Sequence, residues 1–431
     1  MSTLMHYIWR NRMLPKRELR TTKGEEIKII ETGKSCSQES NIFRNARLRI
    51  GEREWSGNII IHHKSSDWEK DIQSNKNSSY KNIILHITES DDIETMLPHG
   101  EYIPQLRITF PASIAQEYDS YVKGEKLIPC HQTMASMEKM PLHGHLSRLL
   151  VERIDEKAER IEALYNECDK RWEETLFKLL ARNFGFGVQS AAFEEWASML
   201  NLQALAKHRN NLLQVEAVFF GQAGLLDPDS IPAYYRNEAL ETPYYKELNR
   251  EYKFLSTKFA LKAMNAKAWS TTAPPHLRIA RLASLYSSSK ATLSAIASCE
   301  TIDKIEKILQ VTPQGYWWNH LQFGGTTTTG STPLRKSQMN IIIINTIAPM
   351  LYTYGKHRND ATLCNKAEDI LHTLETEHNS IIKRWASLGV TAECAADSQA
   401  LIQLQKSYCN KHACENCRFA YAHIKQRINK N

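Results

Sequence analysis

The chain has 431 residues, 42% of them hydrophobic and 24% charged, with a formal charge of +7 and nine cysteines. These are ordinary globular values with room for two or three domains, and nine scattered cysteines in so long a chain exclude a secreted disulfide framework. The N-terminal MSTLMHYIWRNRM is too short in apolar residues for a signal segment, and no run reaches the roughly 18 of a membrane span, so a cytoplasmic protein with no membrane partner is expected.

The chain opens with a short amphipathic segment around Leu4–Arg10. EEIKIIETG predicts a first strand, ended by Gly33. NARLRIGEREWSGNIIIHHK then reads as a hairpin. Ala46, Leu48 and Ile50 alternate with Arg47 and Arg49, the period of a half-buried strand. In the returning strand Ile59, Ile60 and Ile61 are all apolar, as in a central strand buried on both faces. SSDWEKDIQSNKNSSYK suggests a short helix capped by Ser65 or Ser66. NIILHITES gives a fourth strand, followed by acidic Glu89, Asp91, Asp92 and Glu94.

Residues 111–145 contain prolines and read as irregular. From Leu149 to Leu179 apolar residues keep helical spacing for about eight turns. Further helices are expected at 190–200, 203–224, 246–262, 276–298, 301–309, 338–354, 361–375, 378–387 and 396–408. MNIIIINTIAPML is the most apolar window and reads as a core helix. FGGTTTTGSTP (323–333) reads as an exposed flexible loop, and it lacks the lysine pattern of a phosphate-binding loop. KHRNN (207–211) is expected to form a buried polar network beside an apolar helix.

The strand ending in His62, His63 and Lys64 carries the chemistry worth weighing. Residues two apart on a strand share a face, which puts Ile60, His62 and Lys64 together. A carboxylate at position 60, a basic residue beyond it and an Asp on the preceding strand would form the metal site of a PD-(D/E)xK nuclease, with Mg²⁺ held by oxygen ligands. The strand order fits and the chemistry does not. Position 60 is Ile, and ESNIFRNARL offers Ile42, with Glu39 in a polar loop. No Mg²⁺ is therefore expected. The plain alternative is a core histidine and a solvated lysine.

NIFRNARLRI, EWSGNIIIHHKSSDW and YKNIILHI together resemble a bacterial family, common in Bacteroidetes, known as domain of unknown function 2851. Its pattern runs GPDF-x-NA, W-x-GNVEIH-x-K-x-SDW, a His-rich stretch, then Y-x-NVILHVV. Phe43, Asn45, Ala46, Trp55, Gly57, Asn58, His62, Lys64, Ser66, Asp67, Trp68, Tyr80, Asn82 and His86 match it. The family's Asp falls on Ile42 and its Glu on Ile60, and EKDIQSNKN has replaced the His-rich stretch. The resemblance also takes in helical segments such as KHRNNLLQVEAVFFGQAGLL, NSIIKRWASLGV and CENCRF. It implies a degenerate member, with the deviations placed where metal chemistry would be.

Cys409, Cys414 and Cys417 form C-x₄-C-x₂-C, a spacing that suits zinc or an iron–sulfur cluster, with Cys394 or His423 as a fourth ligand. The alternative is a helix end with reduced thiols. Arg47, Arg49 and Arg53 on the hairpin, Arg10, Arg12, Lys16, Arg17 and Arg20 before it, and Lys425 and Arg427 near the C-terminus are basic groups that suit a phosphate backbone.

The expected fold class is α+β. A small mixed β-sheet domain at 1–110 resembles a restriction-endonuclease core. An irregular connector at 111–145 leads to a large all-helical domain at 146–431 that carries the cysteine cluster. The leading functional expectation is a catalytically inactive nuclease-like module that binds nucleic acid or another partner. Its rival is a metal-independent enzyme using His62, His63, Lys64 and Asp67, and a third reading is a scaffold with a structural metal. A basic groove over the sheet would favour the first, a pocket around His62 the second.

Overall fold

A computed structural model describes residues 4–14, 18–35, 41–74, 80, 82–97, 99–122, 130–269 and 272–429. Glu39, Lys16 and Arg17 lie outside them. The chain divides into two compact units that interleave in sequence. One comprises Met1–His145, Trp385–Val390 and Gln403–Asn431; the other comprises Leu146–Arg384 and Thr391–Ile402. The C-terminal segment thus groups with the sheet, whereas sequence position had put it with the helices.

The first unit begins with helix α1 (Leu4–Arg10). A seven-stranded mixed sheet follows: β1 (Leu19–Arg20), β2 (Glu26–Glu31), β3 (Lys34–Ser35), β4 (Ile42–Ile50), β5 (Arg53–Lys64), β6 (Ile83–Ser90) and β7 (Gln105–Arg107). Its order is β1-β2-β4-β5-β6-β7, with β3 beside β4. β2, β4 and β5 form an antiparallel meander. Helix α2 (Asp67–Ser74) then carries the chain over to β6, which runs parallel to β5, as a crossover helix must for a parallel pair.

The hairpin is as expected, with Ile42 opposite Ile60 and Ile50 opposite Arg53. A bulge between Phe43 and Ala46 interrupts it. Asn45 sits there with φ 58°, and its amide donates to Asn58 Oδ1 at 3.4 Å. Asn tolerates the left-handed region better than most residues, which accounts for Asn at this position. Gly57 lies where a Cβ would meet Ile84 Cγ2 at 2.5 Å and the Asn82 carbonyl at 2.7 Å, so no side chain fits.

Both faces of β5 are covered. Ile59 and Ile61 pack with Met5 and Trp9 of α1 and with Phe43, Leu85 and Ile87. Ile60 faces the other way, into a smaller cluster with Ile42, Trp68, Ile83, Leu97 and Ile103. Beyond the sheet the chain is helical where irregular structure was expected, with α3 (Ala112–Val122), α4 (His131–Ala135) and the start of α5 (Lys139–Glu167). Pro111 directly precedes α3 and Pro141 stands in the first turn of α5, where a missing N–H costs nothing. Ile114 and Tyr118 of α3 join Leu4, Tyr7 and Ile8 of α1 and Ile424 of the terminal helix Arg418–Asn429 in one apolar cluster.

The second unit is a helical assembly. The eight-turn helix expected from Leu149 is two: α5 ends at Glu167, Asp169 and Lys170 have positive φ, and α6 (Trp172–Asn183) starts afresh. The helical spacing from Cys168 to Trp172 and Leu176 survives that turn, so periodicity did not mark it. After α7 (Ser190–Met199), the helix expected at 203–224 is likewise divided into α8 (Leu202–Ala206) and α9 (Leu212–Gln222). Asn201 and Asn211 cap them by accepting from Ala204 and Gln214 amides, the role Asn favours. The stretch at 323–333 is not simply an exposed loop. Gly325–Thr326, within it, pairs with His320–Gln322, and Phe323 is fully buried against Phe220 and Trp317. The apolar window at 339–351 is buried as expected, with a π turn at Ile343–Ile347 inside the helix. No helix among the described residues is long and apolar enough to cross a membrane.

Candidate functional site

Strand β5 runs out of apolar residues after Ile61, and at that point a cavity of about 540 Å³ opens around its carboxyl end. His62 and His63 line it from β5; Asp67, Lys70 and Asp71 from α2; Glu89 from β6; His6 from α1; and Asp119 from α3. Ligand sites of α/β sheets commonly lie at the carboxyl ends of parallel strands, and β5 and β6 are the parallel pair here.

His62 is buried and joins a hydrogen-bonded chain. Its Nε2 is 3.0 Å from Asp71 Oδ2, and its Nδ1 is 2.9 Å from His86 Nε2. His86 Nδ1 lies 3.2 Å from Thr95 Oγ1. Burial, and then the neighbouring His62, push the His86 pKa down to about 3, so His86 is neutral. One proton per ring then satisfies the whole chain: His62 Nε2–H donates to Asp71, His86 Nε2–H donates to His62 Nδ1, and the Thr95 hydroxyl donates to His86 Nδ1. Tyr80 OH reaches the same Asp71 oxygen at 3.5 Å. His6, at the α1 side, is pushed down to about 4 by burial first and then by Arg10 and His62.

His63 points to the other face. Its Nδ1 is hydrogen-bonded to Glu89 Oε2, and its side chain is 71% exposed. Its Nε2 has no protein partner among the described residues. A carboxylate on Nδ1–H fixes the tautomer with its lone pair on Nε2, which is the form of a general base.

Asp67 stands at the start of α2. Burial works to raise its pKa, but hydrogen bonds from Lys70 Nζ (3.1 Å) and the Lys64 amide (3.2 Å), with the Lys70 charge, outweigh it and hold the carboxyl low. Lys64 itself is exposed, does not line the cavity and makes no ion pair among the described residues. Ser65 and Ser66, expected to cap α2, both donate to Asp92 at 2.8 Å instead. Those hydroxyls and the Ser66 amide hold Asp92 far below the usual carboxylate range. Ser65 is fully buried, with its hydroxyl committed to that bond.

Ile42 and Ile60 face each other across β4 and β5, 7% and 0% exposed, against the Trp68 ring. Trp68 is fixed by a 2.9 Å bond from its indole nitrogen to the Met96 carbonyl. Each isoleucine contributes roughly 2 kcal/mol by leaving water.

The remaining candidate residues lie apart from the cavity lining. Arg47, Arg49 and Arg53 are exposed on the β4–β5 hairpin. Arg47 reaches Glu31 at 3.8 Å and Arg49 reaches Glu54 at 2.8 Å, which offsets two of the three charges. Lys425 and Arg427 are exposed on the terminal helix.

Cys409, Cys414 and Cys417 are drawn into successive tight turns: the Ala413 amide bonds the Tyr408 carbonyl, and the Cys417 amide bonds that of Cys414. Cys414 is pushed up to about 11 by burial and then by Cys417. Cys130 is also raised well above the usual thiol range, by burial and then by all three of these thiols, which brings a fourth cysteine into the neighbourhood that spacing did not reveal. Among the described residues, however, no three His, Cys, Asp or Glu side chains are grouped so as to hold a metal ion.

Four participants were missed in the sequence: Asp71, His86, Thr95 and Glu89. Asp71 is four residues after Asp67 on α2, so helical spacing could have placed both on one face. His86 and Glu89 come beside β5 only through the parallel β5–β6 register, which local sequence does not encode.

No curated protein and no solved structure matches the chain. The model of one family, described as protein of unknown function (DUF2851), matches residues 2–380, which leaves the cysteine cluster outside the matched range. The match covers most of the chain, and the protein belongs to the DUF2851 family.

Proposed function

We propose that this chain is a nuclease-like scaffold that has lost divalent-metal catalysis and is retained as a binding module. The order helix, three antiparallel strands, helix, parallel strand supports the scaffold, by analogy of fold alone. The observation that carries the loss is the Ile42–Ile60 pair. The two positions where such a site needs carboxylates are packed together as apolar core, and a hard cation takes oxygen ligands.

Nucleic acid is the partner to test first, but the cavity is not its contact. Asp67, Asp71, Glu89 and Asp119 outnumber Lys70 there and repel phosphate. Contact rests instead on exposed basic side chains, Arg47, Arg49 and Arg53 on the hairpin and Lys425 and Arg427 on the terminal helix. Binding of labelled single- and double-stranded DNA and RNA over a salt series tests it. The reading expects affinity that falls with salt and a shallower salt slope in Arg53→Gln. Salt-independent or absent binding to all four sequences types removes nucleic acid and leaves another partner.

A second reading is favoured by one observation, the Glu89–His63 pair over the cavity. It is metal-independent general-base chemistry, in which His63 Nε2 takes a proton from water or a substrate hydroxyl. Hydrolysis of a panel of activated esters that survives chelator and disappears in His63→Gln would establish it. Activity unchanged in His63→Gln would dismiss it.

A further inference from the structure

The KHRNN segment, which has no part in the sheet site, leads to a second cavity. It lies wholly within the helical unit and measures about 230 Å³. Phe177 and Leu180 of α6, Leu202 of α8, and Leu285 and Tyr286 of the helix His276–Ser288 give it an apolar wall. Arg209, from the turn between α8 and α9, lines it as well.

Arg209 is held in place on two sides. Its Nε donates to the Tyr286 carbonyl at 2.5 Å, and its guanidinium carbon stands 4.6 Å over the Tyr286 ring. The Arg209 carbonyl is in turn held by the Ser287 hydroxyl at 2.7 Å. The two Nη groups make no ion pair among the described residues. The other cation of the lining, Arg171, is already paired with Glu174 at 2.8 Å and Asp169 at 3.1 Å. Glu173 is near enough to feel the Arg209 charge, but its oxygens are turned to the start of the helix Leu293–Ser298, where they accept the Leu293 amide at 3.0 and 3.3 Å.

An apolar cavity with a few fixed polar groups is the usual form of a small-molecule site. We propose that this one binds small monocarboxylates with an apolar body, the carboxylate taken by the two Nη groups of Arg209 and the body lying against Leu180, Leu202 and Leu285. A planar guanidinium with a pair of outward N–H donors matches a carboxylate in shape as well as charge. Glu173 and Glu174 at the same cavity disfavour a dianion such as a phosphate monoester. A dry cavity of about 150 Å³ accepts benzene, so this volume takes a body of roughly eight carbons.

The test is calorimetric titration of the full chain with octanoate, octan-1-ol and octylamine, which share a tail and differ in the head group. Octanoate is expected to bind about tenfold or more tightly than octanol, and more tightly than octylamine. Arg209→Gln should weaken octanoate about tenfold and leave octanol unchanged. Equal affinities for octanoate and octanol, or no octanoate binding at about 1 mM, would overturn the proposal, as would an Arg209→Gln protein that binds octanoate like the parent. If Arg209→Gln melts at too low a temperature to titrate, Ala206→Trp decides. It fills the mouth of the cavity from an exposed position and must abolish octanoate binding; retained binding in that variant refutes the site.

Discussion

Ile60 and His62 lie two residues apart on the same face of β5 and occupy opposite surroundings. Ile60 is sealed in a dry cluster with Ile42 and the Trp68 ring. His62 is the centre of a hydrogen-bonded chain at the edge of an open cavity. A PD-(D/E)xK-like site would need both positions wet, with carboxylates on one and a basic group on the other. Here one position is polar, hydrogen-bonded through to Asp71 and His86, and the other is core. One face of one strand thus carries a dry apolar cluster and the wall of a pocket two residues apart.

The largest effect is expected from forcing the dry half to become wet. Ile42→Asp with Ile60→Glu should destabilise the protein by about 4 kcal/mol or more, because two carboxylates would be buried without partners and would take up protons rather than a cation. Urea unfolding with and without Mg²⁺ measures this. A double variant as stable as the parent, and stabilised further by Mg²⁺, would break the comparison.

Gly57 sharpens the same boundary from below. Gly57→Ala drives a methyl into Ile84 and the Asn82 carbonyl and should cost about 1–3 kcal/mol by overpacking. An unchanged denaturation midpoint would mean that β6 can shift away from β5, and with it the His62–His86 contact.

The polar half predicts a pH signature. His86 and His6 titrate at about 3 and about 4 in the folded chain, against 6.5 for an ordinary histidine. Both are neutral when folded and charge on unfolding, so their contribution is present above pH 6.5 and is lost as pH falls through 6 and 5 towards those values. Each group adds a slope of at most about 1.4 kcal/mol per pH unit in that window. The buried His276 of the helical unit, pushed down to about 3 by burial, adds in the same direction. Unfolding free energies at pH 7 and pH 5 check the sign, and His86→Gln should flatten the slope by one proton. A chain that gains stability on acidification to pH 5 would contradict the neutral His86 on which the proton arrangement rests.

The smallest effect concerns Lys64, which is exposed and away from the cavity. Lys64→Ala should leave the melting temperature unchanged, in keeping with most exposed substitutions. A clear loss would show that its side chain has a structural role.

Much of this was legible in the residues. The alternation in NARLRI, the three isoleucines and the strand order specify the sheet, and the apolar run at 59–61 matches a strand covered on both faces. What was not legible is long-range. The Asp71–His62–His86–Thr95 chain depends on a parallel register set by the α2 crossover, and the return of the C-terminal helix to the sheet unit spans most of the sequence. The divided helices failed for a local reason: Asp169, Lys170 and the Asn211 cap change the backbone without changing the apolar spacing. Cys130 joins the other thiols from about 280 positions away, beyond the reach of any spacing rule.

The central claim is the loss of divalent-metal phosphodiester cleavage, and the measurement that addresses it most directly is prolonged incubation of pure protein, in molar excess, with single- and double-stranded DNA and RNA in Mg²⁺ or Mn²⁺. The account predicts that all four substrates remain intact. Cleavage that requires the metal and disappears in Lys64→Ala would contradict it and would mean that ligands other than those at positions 42 and 60 still hold a catalytic cation.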